Sequence, residues 1–119
     1  MMKLINIKRV YEPAAAADGY RVLIDNLWPR GVSRANSKID LWLKEIAPSD
    51  ALRKWFGHEP AKWPEFRKRY VKELENNREP VGVLAAKAKS ASITLLYAAK
   101  EERYTNAVAL KAWLTRGAD

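Results

Sequence analysis

A single compact α/β domain, built on a short, mainly parallel sheet of about three strands flanked by several helices, is the fold this sequence predicts. Three observations predict it. The runs Val22-Leu23-Ile24 and Ile93-Thr94-Leu95-Leu96-Tyr97 are apolar almost throughout, the pattern of strands buried on both faces in the middle of a parallel sheet. The stretches between them show helical spacing and are long enough for the crossovers that parallel pairing requires. The length, 119 residues, suits one domain with one core spanning 1–119.

The elements follow in order. Lys3 to Lys8 places Ile5 and Ile7 on one side with polar residues between, which predicts a first strand near an edge. In Tyr11 to Gly19, Pro13 suits a helical first turn and the alanines extend it, until Asp18-Gly19 stops it. That segment is a short crossover or a hairpin loop. The central strand then runs Tyr20 to Asp25, stopped by Pro29 and Gly31. Ser37 with Asp40 approximates a capping box, and Ile39, Trp42, Leu43 and Ile46 share one helical face closed by Pro48, so a helix is expected there. Ser49 caps a second short helix carrying Leu52, Trp55 and Phe56, with Gly57 as its stop.

His58-Glu59-Pro60 begins the longest helical segment, to about Asn76, with Pro64 opening its main part. Trp63, Phe66, Tyr70 and Leu74 form its apolar stripe, and Lys62, Lys68, Arg69 and Lys72 project elsewhere. A helix from Pro80 turns Val81, Leu84, Ala85 and Ala88 inward. After the strand at Ile93–Tyr97 and a loop over 98–103, Thr105 or Asn106 caps a last helix with Ala107, Leu110, Trp113 and Leu114 on one face.

Composition narrows the function. Without cysteine there is no disulfide, thiol nucleophile or thiolate-held metal, and a reducing compartment is the natural setting. The start, Met1-Met2-Lys3-Leu4-Ile5-Asn6, lacks the apolar stretch of a signal peptide, and no apolar run approaches the ~18–20 residues of a membrane span. A cytoplasmic protein with no membrane partner is therefore expected. Twenty-two basic residues against fourteen acidic ones give a net charge of +8, which favours anionic partners or serves solubility. P-loop, dinucleotide-binding, nucleophile-elbow and metal-ligand spacings are absent, so the sequence assigns no cofactor, no metal and no reaction.

Ligands of open α/β sheets collect beyond the carboxyl ends of the strands. Two loops, 25–31 and 97–106, belong there if the central strands are parallel. They offer Asp25, Trp28, Arg30, Tyr97, Lys100 and Asn106 as ligand-binding candidates. Asp25 would orient a ligand, Arg30 and Lys100 would neutralise it, and Trp28 or Tyr97 would cover a ring. The competing reading pairs Asp25 with Arg30 and makes Trp28-Pro29 a packing plug. His58, the only histidine, Arg67 and Tyr104 are secondary candidates. His58 has no partnered nucleophile or metal ligand in sequence, and Arg67 beside an apolar stripe suits a snorkelling stem better than an anion anchor. Trp42, Trp55, Trp63 and Trp113 fall at helical core spacing; only Trp28 lies in a loop without a period to explain it.

Leu27-Trp28-Pro29-Arg30-Gly31, Trp42-Leu43-Lys44 with Ala47-Pro48-Ser49-Asp50, Leu52-Arg53-Lys54-Trp55-Phe56-Gly57-His58 and Leu95-Leu96-Tyr97-Ala98-Ala99-Lys100 resemble the YeaO-like family of small bacterial proteins. The resemblance covers nearly the whole chain. It implies a compact α/β domain with a short parallel sheet and implies no reaction. Asn26 stands where the family usually has arginine, and Tyr104 where it usually has histidine, so any activity resting on those positions would be altered here. The leading functional expectation is a site for an anionic small molecule, a nucleotide or phosphorylated metabolite. The alternatives are nucleic-acid binding by the basic surface and a protein-interaction module; the sequence assigns no oligomeric state.

Overall fold

Four parallel strands and four α-helices make up the computed structural model, which describes residues 4–116. The strands are β1 (Ile5–Arg9), β2 (Tyr20–Leu23), β3 (Leu41–Trp42) and β4 (Ile93–Tyr97), in the order β1-β4-β2-β3. The two most apolar strands, β2 and β4, are the central pair, with Val22 opposite Leu95 and Leu23 opposite Leu96. β1 is an edge, as its polar alternation predicts, paired along its length with β4; Lys3, in the expected first strand, lies outside the described residues.

Both β1 and β2 run parallel to β4, so residues 10–19 form a crossover rather than a hairpin. Its only helical turn is a 3-10 turn at Ala16–Asp18, later than Pro13 suggests.

The sheet has a fourth strand where a helix was expected over Ile39–Ile46. Leu41 and Trp42 instead pair with Val22 and Leu23, followed by a 3-10 turn at Lys44–Ile46. Backbone accounting explains the outcome. A helix there would leave the free edge of β2 unpaired, and buried backbone polar groups go unpaired only at a cost. The Asp40 amide donates to the Arg21 carbonyl at 2.8 Å, its carboxylate accepts from the Arg21 amide at 2.8 Å, and the Leu43 amide donates to the Leu23 carbonyl at 2.9 Å. The carboxylate read as part of a helix cap serves this edge. Trp42 is accordingly a strand residue, not a helical one.

The helices are α1 (Asp50–Phe56), α2 (Trp63–Glu75), α3 (Arg78–Ser90) and α4 (Asn106–Arg116). Ser49 Oγ caps α1 by accepting from the Leu52 amide at 3.2 Å, and Gly57 ends it in the left-handed conformation. A 3-10 turn at Pro60–Lys62 precedes α2, the separate first turn that Pro64 requires. All four helices cover one face of the sheet, where Val22, Ile24, Ile93, Leu95 and Tyr97 meet Phe66, Tyr70, Leu84 and Leu110. No helix among the described residues covers the other face: Val10, Leu23 and Leu96 pack against Trp28, Val32, Ile39 and Trp42.

That loop-covered face also holds a buried ionic cluster. The Asp18 carboxylate, 6% exposed, accepts from Lys8 Nζ at 3.0 Å, from the Ala15 amide at 3.0 Å and from the Arg21 guanidinium. Thr94 Oγ1 donates to the Asp18 carbonyl at 2.7 Å. The crossover is pinned to the sheet at this point. No helix among the described residues is long and apolar enough to cross a membrane.

Candidate functional site

Because all four strands run the same way, their carboxyl ends open on one edge of the sheet. A cleft of about 350 Å³ lies there. β1 delivers Tyr11 to it, β2 delivers Asp25 to Arg30, the turn after β3 delivers Ala47 and Pro48, and β4 delivers Ala98 and Ala99. Arg53 and Phe56 of α1, His58, Phe66 of α2 and Asn106 at the start of α4 complete it.

Asp25 is partly buried in the cleft. Its Oδ2 accepts from the Ala98 amide at 2.9 Å and its Oδ1 from Asn106 Nδ2 at 3.2 Å, so the carboxylate bridges the ends of β2, β4 and α4. The Asp25 carbonyl accepts from Trp42 Nε1 at 2.8 Å. Burial raises its pKa above the ordinary value; the bonds from Ala98 and Asn106 and the charges of Arg53 and His58 oppose that rise without cancelling it. No carboxylate but Asp25 lines the cleft among the described residues.

His58 follows Gly57 through a second left-handed residue, φ +58°, a conformation that histidine tolerates better than most side chains. Its Nδ1 lies 3.1 Å from the Tyr104 carbonyl. A carbonyl only accepts, so Nδ1 donates to it. The Phe56 ring, 5.6 Å away, braces the imidazole.

Two exposed arginines line the cleft. Arg53 pairs with Asp50 at 2.7 Å, both partners well exposed, and Asn26 Nδ2 donates to the same Asp50 carboxylate at 3.2 Å. The Arg53–Asp50 bond lowers the pKa of Asp50. Exposed pairs of this kind contribute little. Arg30 makes no ion pair among the described residues, and its carbonyl accepts from Tyr11 Oη at 3.0 Å. Trp28 stiffens the loop that carries Arg30. Its Nε1 donates to the Val32 carbonyl at 2.7 Å, Trp42 meets it edge-on at 5.5 Å, and the Arg34 guanidinium lies 4.6 Å over its ring.

The structure thus brings Asp25, Trp28, Arg30 and Asn106 to one cleft, with His58 beside them. It does not bring Tyr97, Lys100, Arg67 or Tyr104 to its lining. Tyr97 falls on the helix-covered face by strand alternation, packs in the core, and has its hydroxyl pKa raised by burial and next by Glu102. Lys100 is exposed in the following loop. Arg67 lies on a different groove, its guanidinium 5.8 Å over the Trp63 ring. The Tyr104 ring also stacks edge-on against Trp63, at 5.5 Å, and reaches His58 only through its backbone.

Sequence reasoning missed Tyr11, Pro48, Arg53, Phe56 and Phe66. The signal was the position of Pro48-Ser49 after an unrecognised strand end, which aims α1 at the same crevice. Among the described residues no group of three or more histidine, aspartate or glutamate side chains is placed to hold a metal ion.

Comparison with known proteins places the fold in a lineage. Residues 4–119 match the family DUF488-N3i, described as the inactive DUF488-N3 subclade. The chain belongs to this family. It is 44% identical over 110 residues to the uncharacterized protein YeaO of Escherichia coli K12, covering 92% of this chain and 96% of that protein. An uncharacterized protein of Mycobacterium tuberculosis H37Rv is 40% identical over 73 residues, 61% of this chain and 62% of the mycobacterial one. No solved structure matches the chain. The YeaO-like resemblance carried by the Leu27–Gly31 and Leu52–His58 segments is therefore family membership.

Proposed function

We propose that this protein binds an anionic small molecule, a nucleotide or phosphorylated metabolite, in the cleft at the carboxyl ends of its strands. One observation carries the reading: the exposed Arg30 and Arg53 line a cleft whose walls are mostly apolar and whose one acid among the described residues, Asp25, is held by Ala98 and Asn106. Pockets of this kind, concave and apolar with a few convergent polar groups, are the usual small-molecule sites. The arginines would hold the anion through charge-assisted hydrogen bonds. The description of the family as an inactive subclade favours binding without turnover.

Thermal shift with a panel of nucleotides and phosphate esters tests the reading. A ligand at 100 times its dissociation constant adds roughly 2.7 kcal/mol of stability. Arg30→Ala and Arg53→Ala should each weaken it roughly tenfold, the worth of one charge-assisted hydrogen bond. If no compound of the panel raises the melting temperature, the reading is wrong.

A second reading rests on the groove between α2 and α4, about 700 Å³, lined by Arg67, Lys68, Lys72 and Arg116 around Trp113. It suits a nucleic-acid backbone. Affinity for duplex or single strands should then fall steeply with salt as counterions are released; absence of binding at low salt eliminates it.

A further inference from the structure

The cleft has a polarity that constrains what can lie in it, and this argument rests on the small-molecule reading above. Asp25 is partly buried in it, and the two arginines that line it are exposed. An anionic group placed against Asp25 would be repelled, so the anion belongs with the arginines and the opposite end of the ligand must meet the carboxylate. That end must donate hydrogen bonds. The donors on Asp25 now are neutral, the Ala98 amide and the Asn106 side chain, one to each oxygen. An ionised carboxylate offers about four acceptor sites, so one remains on each oxygen. A cationic end would satisfy them but would enter past Arg30 and Arg53. What remains is a neutral group with two adjacent N–H donors.

The walls decide its shape. Phe56 and Phe66 stack with ring centroids 4.3 Å apart, Pro29 and Pro48 are buried beside them, and all four line the cleft. These apolar walls suit an uncharged ring whose polar edge meets Asp25. Size agrees: a cavity of ~150 Å³ holds one benzene, and the cleft at about 350 Å³ has room for a one- or two-ring system with its substituent at the mouth.

We propose that the cleft takes a planar nitrogen heterocycle of the 2-amino-4-oxopyrimidine type, as in guanine, with Asp25 accepting its two adjacent N–H donors and Arg30 and Arg53 holding an attached phosphate. Asp25 is the residue that determines specificity. Guanosine monophosphate presents both donors, inosine monophosphate one, adenosine monophosphate a different edge, and ribose 5-phosphate no base.

Calorimetric titration of the full chain with these four compounds at pH 7 tests the proposal. The expected order is guanosine over inosine over adenosine monophosphate, with about tenfold lost for each hydrogen bond removed, and ribose 5-phosphate weakest. In Asp25→Asn the guanosine-over-adenosine preference should shrink to within about threefold, the value of a residual neutral contact. Equal binding of all four by the wild-type chain overturns the heterocycle assignment and leaves the anion site standing, provided Arg30→Ala still weakens them. Binding of none overturns both. The wild-type series decides the matter even if the variant fails to fold.

Discussion

Two aspartates seven positions apart face opposite demands. Asp18 and Asp25 both flank β2, and both carboxylates are largely removed from water. Asp18 meets two cations and a backbone amide, and although desolvation is the largest single influence and pushes its pKa up, the bonds from Ala15, Lys8 and Arg21 together pull it below the ordinary 3.8. Asp25 meets only neutral donors, and desolvation wins, so its pKa rises. The difference separates a carboxylate that the fold satisfies from one that it leaves under-compensated, the one proposed to meet a ligand. Asp18 is fully compensated and pins the crossover to the sheet. Asp25 is under-compensated in the cleft, where a further donor would relieve it.

The comparison predicts its largest effect at Asp18. Asp18→Asn leaves the Lys8 and Arg21 charges buried against a neutral amide, and breaking a buried pair in this way costs about 3 kcal/mol or more. Urea unfolding at pH 7 measures it. A loss below ~1 kcal/mol, the range of exposed pairs, would mean that the cluster is solvated and the contrast with Asp25 false. Its pH dependence has a definite sign. A depressed folded-state pKa contributes stability that is fully present above the unfolded value of 3.8 and is lost as pH falls through the lower folded value.

Gly19 comes next. Its backbone, φ +65° and ψ −135°, is open to glycine alone, and an added Cβ would stand 2.4 Å from the Ser92 carbonyl oxygen. That carbonyl cannot retreat freely, since it accepts from the Tyr20 amide at 2.9 Å. Gly19→Ala should cost about 2 kcal/mol by the same unfolding measurement, strain of 1–3 kcal/mol being usual for such geometry. It acts by displacing Asp18 from its partners. An effect near zero would show that the crossover does not depend on this turn.

Much of this was legible in the sequence, for reasons that can be stated locally. The strands β2 and β4 announce themselves because both their faces are covered, and the caps at Ser49 and Gly57 because local hydrogen bonding decides them. The β3 strand was illegible. Two residues cannot show a period, and Trp42 and Ile46 happen to fit helical spacing, while the demand that overrode it, the open edge of β2, is tertiary. For the same reason the cleft was readable at Asp25, Trp28, Arg30 and Asn106, which follow visible strand ends or open a helix, and hidden at Arg53 and Phe66. Tyr97 and Lys100 show the opposite error, since a strand end fixes where the chain emerges but alternation fixes where each side chain points. The Asp18 cluster needed Lys8 and Arg21 to be recognised as neighbours across the sheet, which spacing alone does not reveal.

A smaller effect is expected at Asn106. Asn106→Ala removes the Nδ2 donor to Asp25 at 3.2 Å and should cost about 1 kcal/mol, a typical net value for one hydrogen bond. It should also raise the pKa of Asp25 further, visible in the carboxyl carbon shift of Asp25 on titration by NMR. An unmoved titration would remove Asn106 from the site.

The smallest stability effect, and the sharpest test, belongs to Asp25→Asn. The amide is nearly isosteric with the acid. Its oxygen can still accept from the Ala98 amide, and a turned Asn106 side chain can accept from its nitrogen, so the packing survives. A buried ionised group is removed in exchange. The variant at pH 7 should therefore be within about 0.5 kcal/mol of the wild type or more stable than it, the stability gain commonly seen when a functional residue is neutralised. The sign with pH is fixed. A raised folded-state pKa contributes stability that is fully present below 3.8 and is lost as pH rises through the folded value. Wild type should thus hold its advantage over Asp25→Asn in acid and surrender it toward neutrality. The Asp18 contribution runs the other way but is common to both proteins and cancels in the difference. Melting temperatures of the two at intervals from pH 3 to 7 measure the crossing. A variant losing 2 kcal/mol or more at pH 7, as removal of one partner from a buried charged network does, would make Asp25 a second Asp18, a carboxylate the fold needs, with nothing left over for a ligand.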